Sequence, residues 1–527
     1  MKAIQIILIL LFALTANTQI TGTVFRDFDG DGIKDANEPF LPGVTVNAYG
    51  ISGTLCGTQV TSGNTAPNYS LSGCGTGQVR IEFLLPNGTS TCINSGSEYS
   101  SFSGSVYGTS VQFKNGNSSN VNFAVQNPID YNVGYATNPT VYIPCYVNGN
   151  PTGGGTSGSD SWFVGFPYSN AGTTSPSLVA DGTVIGATWG VACSRHANKI
   201  FTSAFMKRHS GMGTGGSGAI YKIDPTTFVP TLFYDMDANG YRTRAANTAP
   251  TSGAGSSYNL VGSTQATYLG SVDPLTGQPS GLGVIGTNVQ RGLPNSATTP
   301  NNDPAAFDQV GKVSLGGIEI SDDGKYLFVM NLYDRKLYRL TLNDPFNPTS
   351  VTAVIAYSLP TQNCNSGVLR PFALKYYNNK IYVGAVCSGE NGGSNTVGGS
   401  TDLYAFVFEM TDPKGTATFN STPIINQALN YAKDAAINWT GPYGLQWYPW
   451  TKNTADVLGP DPNFTYPTPM FTDIEFNSRG DMVMAIADRS GYQKNPDNNN
   501  NLSGGSTDFY IAGGDIIIAG NDCSGYK

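Results

Sequence analysis

The residues best suited to chemistry lie near the N-terminus, in the segment RDFDGDGIKDANEPFLPGVTV at positions 26–46. Four aspartates and two glycines fall within nine positions there, in a chain of which only 12% of the residues are charged. If Asp27 is position 1, carboxylates occupy positions 1, 3, 5, 9 and 12, glycine occupies position 6, and an apolar residue follows it. This is the spacing of a calcium-binding loop.

The physical chemistry of calcium explains the spacing. The ion takes about six to eight oxygen ligands, and its loop needs glycine at the sharp turn, a carbonyl from position 7 and a bidentate glutamate at position 12. Without a cation the five carboxylates would repel one another, and the alternative is an acidic turn that water solvates. We predict Ca²⁺ as the cofactor and these ligands: Asp27, Asp29, Asp31, Ile33 through its carbonyl, Asp35 and Glu38.

The elements that hold this loop are strands and not the helices of an EF-hand. ITGTVF before it alternates as a strand does, and LPGVTVNAYG after it is a strand that opens with a Pro-Gly turn. The run GTVFRDFDGDGIKDANEPFLPGVTVNAY resembles the start of the SdrD B-like (Cna-B-type) repeat of bacterial surface proteins, over residues 20 to about 126. Cysteines at 56, 74 and 92 depart from that pattern. The resemblance implies a β-sandwich that calcium holds rigid and that serves as a spacer or stalk.

Composition and the first residues place the chain in a broad class. The 527 residues include 65 glycines and 11% aromatics, and no long run has helical periodicity, so we expect an all-β protein of several domains. MKAIQIILILLFALTANTQ reads as a secretory signal peptide, with a membrane anchor as the alternative. The formal net charge is -8 and no basic patch is visible, which argues against nucleic acid and anionic membranes. We expect a secreted or cell-surface protein whose partners are extracellular glycans or proteins.

A recurring strand pattern follows the first domain. It appears in CSRHANKIFTSAF, IEISDDGKYLFVMNLYDRKLYRLTL, ALKYYNNKIYVGAV and DIEFNSRGDMVMAIADRSGYQ, with central turns near residues 198, 324, 379 and 480. Degenerate copies at residues 266–277 and 425–460 bring the number to about six. Units of about 50 residues with several antiparallel strands indicate a β-propeller. The predicted domains are a signal peptide (1–18), the β-sandwich (19–126), a linker with a possible strand (127–160) and the propeller (161–527).

Two classes of function compete for the propeller. Its second copy is similar to blades of the lactonase and gluconolactonase type, and the whole arrangement resembles secreted SdrD B-like/propeller proteins of bacteria such as Bacteroidota. A non-catalytic surface protein, in which the propeller binds a ligand and the β-sandwich is a rigid spacer, is favoured because the chain has two histidines and no recognisable catalytic motif. The alternative is a secreted metal-dependent hydrolase with a channel site drawn from the following residues: Glu319, Asn331, Glu475 and Asp488.

Three further expectations concern aromatic, ionic and cysteine residues. Trp447, Tyr448 and Trp450 form either a platform for sugars or packing between blades. The Asp-Arg pairs at 334–335 and 488–489 suggest ion pairs between blades. We expect the eight cysteines to form disulfides, with Cys364–Cys387 the favoured bridge and free thiols the alternative.

The last copy of the pattern shows three strands where a blade has four. We expect either that TVYIPCYV or SWFVGFPY pairs into this last blade, or that the chain is a fragment whose continuation completes it. The second is favoured.

Overall fold

The computed structural model describes most of the chain in two compact units, Met1–Tyr131 and Asn132–Lys527. The described residues are 19–27, 32–34, 38, 40–63, 65–84, 99–100, 110–126, 139–170, 176–244, 286–377, 379–390, 402–433, 445–451, 465–477, 481–495, 498, 512–520 and 526. The predicted signal peptide lies outside this set. Among the residues that are described, no helix is both long and apolar enough to span a bilayer.

The first unit consists of short strands in three sheets. Its strands are β1 (Gln19–Gly22), β2 (Val24–Arg26), β3 (Thr45–Gly50), β4 (Leu55–Val60), β5 (Tyr69–Ser72), β6 (Gln78–Leu84), β7 (Tyr99–Ser100), β8 (Val111–Asn115) and β9 (Phe123–Gln126). β1 pairs with β5, the second sheet has the order β2-β9-β7, and the third has the order β4-β3-β6-β8. Within the second sheet β2 and β9 are parallel.

Alternate residues of these strands build one core between the sheets. Val24, Phe123 and Val125 from the second sheet meet Val46 and Ile81 from the third in a single buried cluster. The rings of Phe83 and Phe123 stack across it with centroids 4.5 Å apart. The alternation predicted for the strand after Pro-Gly is confirmed, since one face of β3 is buried, whereas residues 22–25 of ITGTVF are buried one after another.

The second unit is also built from antiparallel sheets. Its strands are β10 (Thr140–Pro144), β11 (Ser161–Pro167), β12 (Ser177–Asp181), β13 (Thr188–Ser194), β14 (Lys199–Ala204), β15 (Ala219–Ile223), β16 (Pro230–Asp235), β17 (Leu315–Ile320), β18 (Tyr326–Asn331), β19 (Lys336–Leu342), β20 (Val351–Ser358), β21 (Leu369–Tyr377), β22 (Lys380–Cys387), β23 (Tyr404–Thr411), β24 (Thr418–Phe419), β25 (Ile425–Ala428), β26 (Pro469–Phe476), β27 (Met482–Asp488) and β28 (Asp515–Ala519). Short helices are α1 (Gly155–Ser159), α2 (Pro304–Phe307) and α3 (Ser490–Gln493).

Within the part of the chain that is described, these strands form five sheets. Their orders are β10-β11-β12, β13-β14-β15-β16, β17-β18-β19-β20, β21-β22-β23-β24 with β25 also on β23, and β26-β27-β28. The first strands of the last four sheets, β13, β17, β21 and β26, contact one another in succession. Each of these four strands carries a register shift against its hairpin partner.

The four quoted copies of the sequence pattern are the hairpins that begin these four sheets. Three of the four turns are described, and each contains a residue with positive φ: Asn198 at 48°, Gly324 at 69° and Asn379 at 53°. Asparagine and glycine tolerate this left-handed conformation, which is why the turns were visible in the sequence. The degenerate copy at 266–277 lies outside the described residues, and of 425–460 the structure describes β25 and a few neighbouring residues.

Of the expected linker with a possible strand, residues 127–160, the structure describes residues 139–160. β10 pairs with β11 over five residues, so TVYIPCYV and SWFVGFPY join each other and not the last sheet. The Gly/Ser tract after β10 forms a 3₁₀ turn and α1, and Pro151 and Ser157 within it are buried. Composition suggested a flexible segment because glycine and serine dominate it. Its polar groups are instead held by neighbours, as where Trp162 Nε1 donates to the Ser157 carbonyl at 2.7 Å.

Aromatic side chains fill the place where the sheets of the second unit meet. Trp189 on β13 lies with its ring centroid 5.3 Å from Phe372 on β21 and 5.1 Å from Tyr492 on α3. Phe205 and Tyr146 join the same group, with Tyr146 6.0 Å from Tyr492. Edge-to-face and tilted packing of these rings joins β13 and β21 to the segments that follow β10, β14 and β27.

Candidate functional site

The acidic loop starts at the end of β2, where the backbone is fixed by the second sheet. The Asp27 amide donates to the Val125 carbonyl at 2.9 Å, and the Asp27 side chain is buried. Oδ2 of Asp27 accepts a 2.8 Å hydrogen bond from the amide of Gly32, which has φ of 76°. A residue with a Cβ is strained at this φ, so the glycine at position 6 is a requirement of the turn.

The end of the loop returns to the same strand. Glu38, at position 12, is 4% exposed, and Phe40 forms a β-bridge with Phe25 of β2. Lys34 Nζ lies 4.8 Å from the centroid of the Phe40 ring. The apolar Ile33 side chain is 60% exposed and has no ligand atom, so only the backbone carbonyl of Ile33 is suited to bind an ion. Two carboxylates eleven residues apart are thus buried beside β2, an arrangement that is costly unless their charge is compensated.

The remaining predicted ligands, Asp29, Asp31 and Asp35, lie outside the described residues. Within the described ranges no group of three or more His, Cys, Asp or Glu residues is placed to hold a metal ion. The buried carboxylates at positions 1 and 12, together with the glycine turn at position 6, fit a calcium loop. Calcium as the cofactor stays a prediction.

A second group of charged side chains lies at the ends of the first strands in the second unit. Lys375 on β21 lies with Nζ 2.7 Å from Oε1 of Glu475 on β26 and 3.6 Å from Oε1 of Glu319 on β17. Burial raises the pKa of Glu319 to about 8, although Lys375 opposes this. Burial lowers the pKa of Lys375, but Glu319 and Glu475 outweigh burial and raise it overall.

The structure therefore brings together two of the four residues predicted for a channel site, Glu319 and Glu475. Lys375 between them was missed, although it ends a strand in ALKYY as the glutamates do in IEI and IEF. The other two predicted residues, Asn331 and Asp488, form hydrogen bonds with backbone groups. Asn331 donates to the Arg242 carbonyl at 2.8 Å and accepts from the Tyr333 amide. Asp488 accepts from the amides of Thr468 and Ser490, each at 3.0 Å.

Of the two expectations for the aromatic residues at 447–450, packing is confirmed and the sugar platform is not, because these residues are part of the core. Trp447, Tyr448 and Trp450 are at most 4% exposed. Trp450 Nε1 donates to the Pro469 carbonyl at 2.6 Å, and the guanidinium of Arg489 lies 4.4 Å from its ring centroid. The packing alternative applies, since rings this deeply buried offer no face to a glycan.

Of the two Asp-Arg sites expected to form ion pairs between blades, one contributes an ion pair, with a different partner. Arg489 follows β27, yet its partner is Asp308 in the segment before β17, at 3.5 Å. The same guanidinium donates to the carbonyls of Val310, Thr451 and Asp308. At the other predicted pair, Asp334 accepts a short hydrogen bond from the Tyr338 hydroxyl.

Both histidines have structural roles in the second unit. His196 Nε2 lies 3.0 Å from the carbonyl oxygen of Asp322, which joins the turn of the β13–β14 hairpin to that of β17–β18. His209 is fully buried, and its Nδ1 donates to Oδ1 of Asn301 at 2.9 Å. Burial and the nearby Arg208 hold the pKa of His209 well below its usual range.

The cysteines confirm one prediction and add a bridge. Cys364–Cys387 is a disulfide, as expected from the strand pair that it flanks. Cys56–Cys74 is a second one, within the first unit. Cys145 and Cys193 are free thiols, so the disulfide interpretation does not extend to them. Cys92 and Cys523 lie outside the described residues.

Comparison with known proteins bears on the first unit. Residues 18–140 match the family model of the SdrD B-like domain. The match runs past the expected end at 126 and reaches the first residue of β10. The resemblance inferred from the acidic loop and its flanking strands is therefore confirmed for this domain.

Curated relatives share parts of the chain. Colossin-A of Dictyostelium discoideum is 24% identical over 358 residues, which are 67% of this chain and 3% of colossin-A. Serine-aspartate repeat-containing protein F of Staphylococcus epidermidis is 38% identical over 88 residues, 16% of this chain and 5% of that protein. The chain spans a small fraction of the length of both relatives.

Among solved structures, a luciferin-regenerating enzyme aligns with 57% of this chain and 68% of its own, at 8% identity and a TM-score of 0.23. That score is too low to support any argument about fold or activity.

Proposed function

We propose that the chain is a secreted, cell-surface binding or adhesion protein in which a calcium-stabilised SdrD B-like β-sandwich acts as a rigid spacer for a ligand-binding β-propeller. The observation that carries the proposal is the acidic loop inside the matched domain, where Asp27 and Glu38 are buried at positions 1 and 12. The serine-aspartate repeat protein and colossin-A, which share parts of the chain, support this assignment.

Calcium would act by joining the two ends of the acidic loop beside β2. Asp27 ends the ladder of β2 with β9, and Glu38 lies two residues before the bridge of Phe40 to Phe25. The ion would be held by the six predicted ligands, and it supplies positive charge that offsets their repulsion. A stiff loop at the start of the domain suits a spacer because it limits bending between neighbouring strands.

The propeller assignment is supported by the sheets of the second unit. Two four-stranded antiparallel sheets and a five-stranded one succeed each other along the chain. The first strand of each sheet contacts the first strand of the next, as radially arranged blades require. The alternative of a lactonase-type metal site gains no support, because Lys375 lies between Glu319 and Glu475 and pairs with both. An ammonium group in that place competes with a metal ion for the same oxygens.

The proposal is tested by two measurements on the full chain. Isothermal titration with Ca²⁺ should show one site, which Asp27→Asn weakens strongly and Glu82→Gln, a carboxyl of the same unit paired with Arg80, leaves unchanged. Glycan-array and cell-surface binding of the same chain should show a saturable ligand. Absence of calcium binding, or calcium binding that Asp27→Asn does not affect, would contradict the role of the loop.

A further inference from the structure

The last sheet of the second unit, β26-β27-β28, has one covered and one uncovered face. The central strands of its neighbours, β18 and β22, are buried along nearly their whole length, so both faces of those sheets are covered. In β27 buried and half-buried residues alternate instead. We name the half-buried and exposed side the terminal face; it consists of Asp473, Glu475, Val483, Ala485, Ile516 and Ile518.

The register of the strands shows that the terminal face is continuous. Glu475 is opposite Val483, which is opposite Ile518, and the next row is Asp473, Ala485 and Ile516. Ile516 and Ile518 are 69% and 63% exposed, whereas Ile517 between them packs on the core. Contiguous exposed apolar side chains are a feature of contact surfaces.

The charges of the terminal face define what would cover it. The strand-end group contains one cation, Lys375, against the carboxylates of Asp473 and Glu475, so it carries an excess of negative charge even with Glu319 protonated. Within the chain, the β21–β22 hairpin contacts β17 and brings Lys375 to Glu319 of the preceding sheet. The terminal face presents Glu475 and Asp473 at its β26 edge with apolar residues beside them.

We propose that the terminal face binds a β-sheet of a partner protein that carries apolar side chains opposite Val483, Ile516 and Ile518 and a lysine or arginine opposite Asp473 and Glu475. The apolar rows would supply the contact area and the acidic edge would set the orientation. The inference deepens the proposed binding role of the second unit and rests on it. It involves neither the calcium loop nor a glycan. A negative result in the test below therefore leaves the calcium and glycan experiments of the proposed function unaffected, and the reverse also holds.

The test uses a fluorescent peptide with the sequence of residues 369–387, which is the β21–β22 hairpin, with Cys387→Ser. This segment presents apolar residues and Lys375 to an acidic neighbour in the chain itself. Anisotropy titration with the full chain should show saturable binding that Ile518→Lys weakens at least tenfold. A peptide with Lys375→Glu should bind more weakly than the parent, because it places a carboxylate against Asp473 and Glu475.

Controls separate the surface from the stability of the fold. Leu232→Lys places the same charge at an exposed aliphatic side chain on β16, away from the terminal face, and should leave binding unchanged. Ile518→Lys should retain the near-ultraviolet circular dichroism of the parent chain. Lack of saturable binding, or equal binding by Ile518→Lys, overturns the proposal. Sedimentation velocity that shows a dimer lost in Ile518→Lys also overturns it, since a second copy would then be the occupant.

Discussion

The amide of Gly32 donates a 2.8 Å hydrogen bond to Oδ2 of Asp27 and so closes the first half of the acidic loop. Asp27 is itself fixed by the bond of its amide to the Val125 carbonyl. Position 1 of the loop is thus held by β9 on one side and by the turn at position 6 on the other. A carboxylate held in this way loses little freedom when a cation binds, which favours affinity.

Removal of calcium is expected to lower the melting temperature of the first unit. The carboxylates then repel one another without compensation, and a ligand present at about 100 times its Kd contributes about 2.7 kcal/mol to folding. Asp27→Ala and Asp29→Ala should each cause a loss comparable to that caused by EDTA. Differential scanning calorimetry of the full chain measures this as a shift of one transition.

The two units can be followed separately in that experiment. All five tryptophans lie beyond residue 131, so tryptophan fluorescence reports the second unit and should not respond to EDTA. Glu82→Gln serves as the matched carboxyl control in the first unit. A calorimetric profile that is the same with and without EDTA would contradict the stabilisation of the first unit by calcium.

The disulfides give a prediction about labelling and stability. Alkylation of the full chain without reductant should modify Cys145 and Cys193 and leave Cys56, Cys74, Cys364 and Cys387 unmodified. Replacing Cys364 and Cys387 by serine should cost about 2 to 4 kcal/mol, because the unfolded chain gains the freedom of the loop that they close. Peptide mapping by mass spectrometry identifies the labelled sites, and a label on any of these four paired cysteines would refute the pairing.

Arg489 is expected to be a strong determinant of the stability of the second unit. Its guanidinium is fully buried, stacks on Trp450, and satisfies three backbone carbonyls and Asp308. Arg489→Met leaves these acceptors without their donor, so we expect a loss of about 3 to 5 kcal/mol. Urea denaturation followed by tryptophan fluorescence measures it. Lys325→Met removes an exposed lysine that lies 3.6 Å from Asp323, and should cost less than about 1 kcal/mol.

The sequence predicted features that depend on short spacings. The acidic loop, its flanking strands and the four hairpins are local patterns, in which a glycine or asparagine must adopt positive φ at a fixed place, as Asn198 and Gly324 do. Cys364–Cys387 was predictable for the same reason, since β21 and β22 bring the two ends of their hairpin together.

Features that depend on distant segments were missed. Arg489 and Asp308 are separated by 181 residues, and nothing near either residue indicates the other. The buried state of Trp447 and Trp450 depends on segments far along the chain, so their exposure could not be read from WYPW. Composition likewise does not reveal the neighbours that hold the Gly/Ser tract at 150–159, as Trp162 holds the Ser157 carbonyl.

The pH dependence of stability should identify Glu319 as a carboxyl that resists ionisation. Burial raises its pKa in the folded chain to about 8, from an ordinary value of 4.5. A group with a raised folded pKa stabilises the fold below its ordinary pKa, and this contribution is lost as pH rises through about 8. The wild type should therefore lose stability relative to Glu319→Gln, whose amide does not titrate, between pH 5 and pH 9, by on the order of 2 kcal/mol. Urea denaturation followed by tryptophan fluorescence at three pH values measures the difference, and Asp344→Asn controls for removing a carboxyl elsewhere in the same unit. A difference between wild type and Glu319→Gln that stays constant from pH 5 to pH 9 would contradict the assignment, because only a shifted titration makes the effect of this substitution depend on pH.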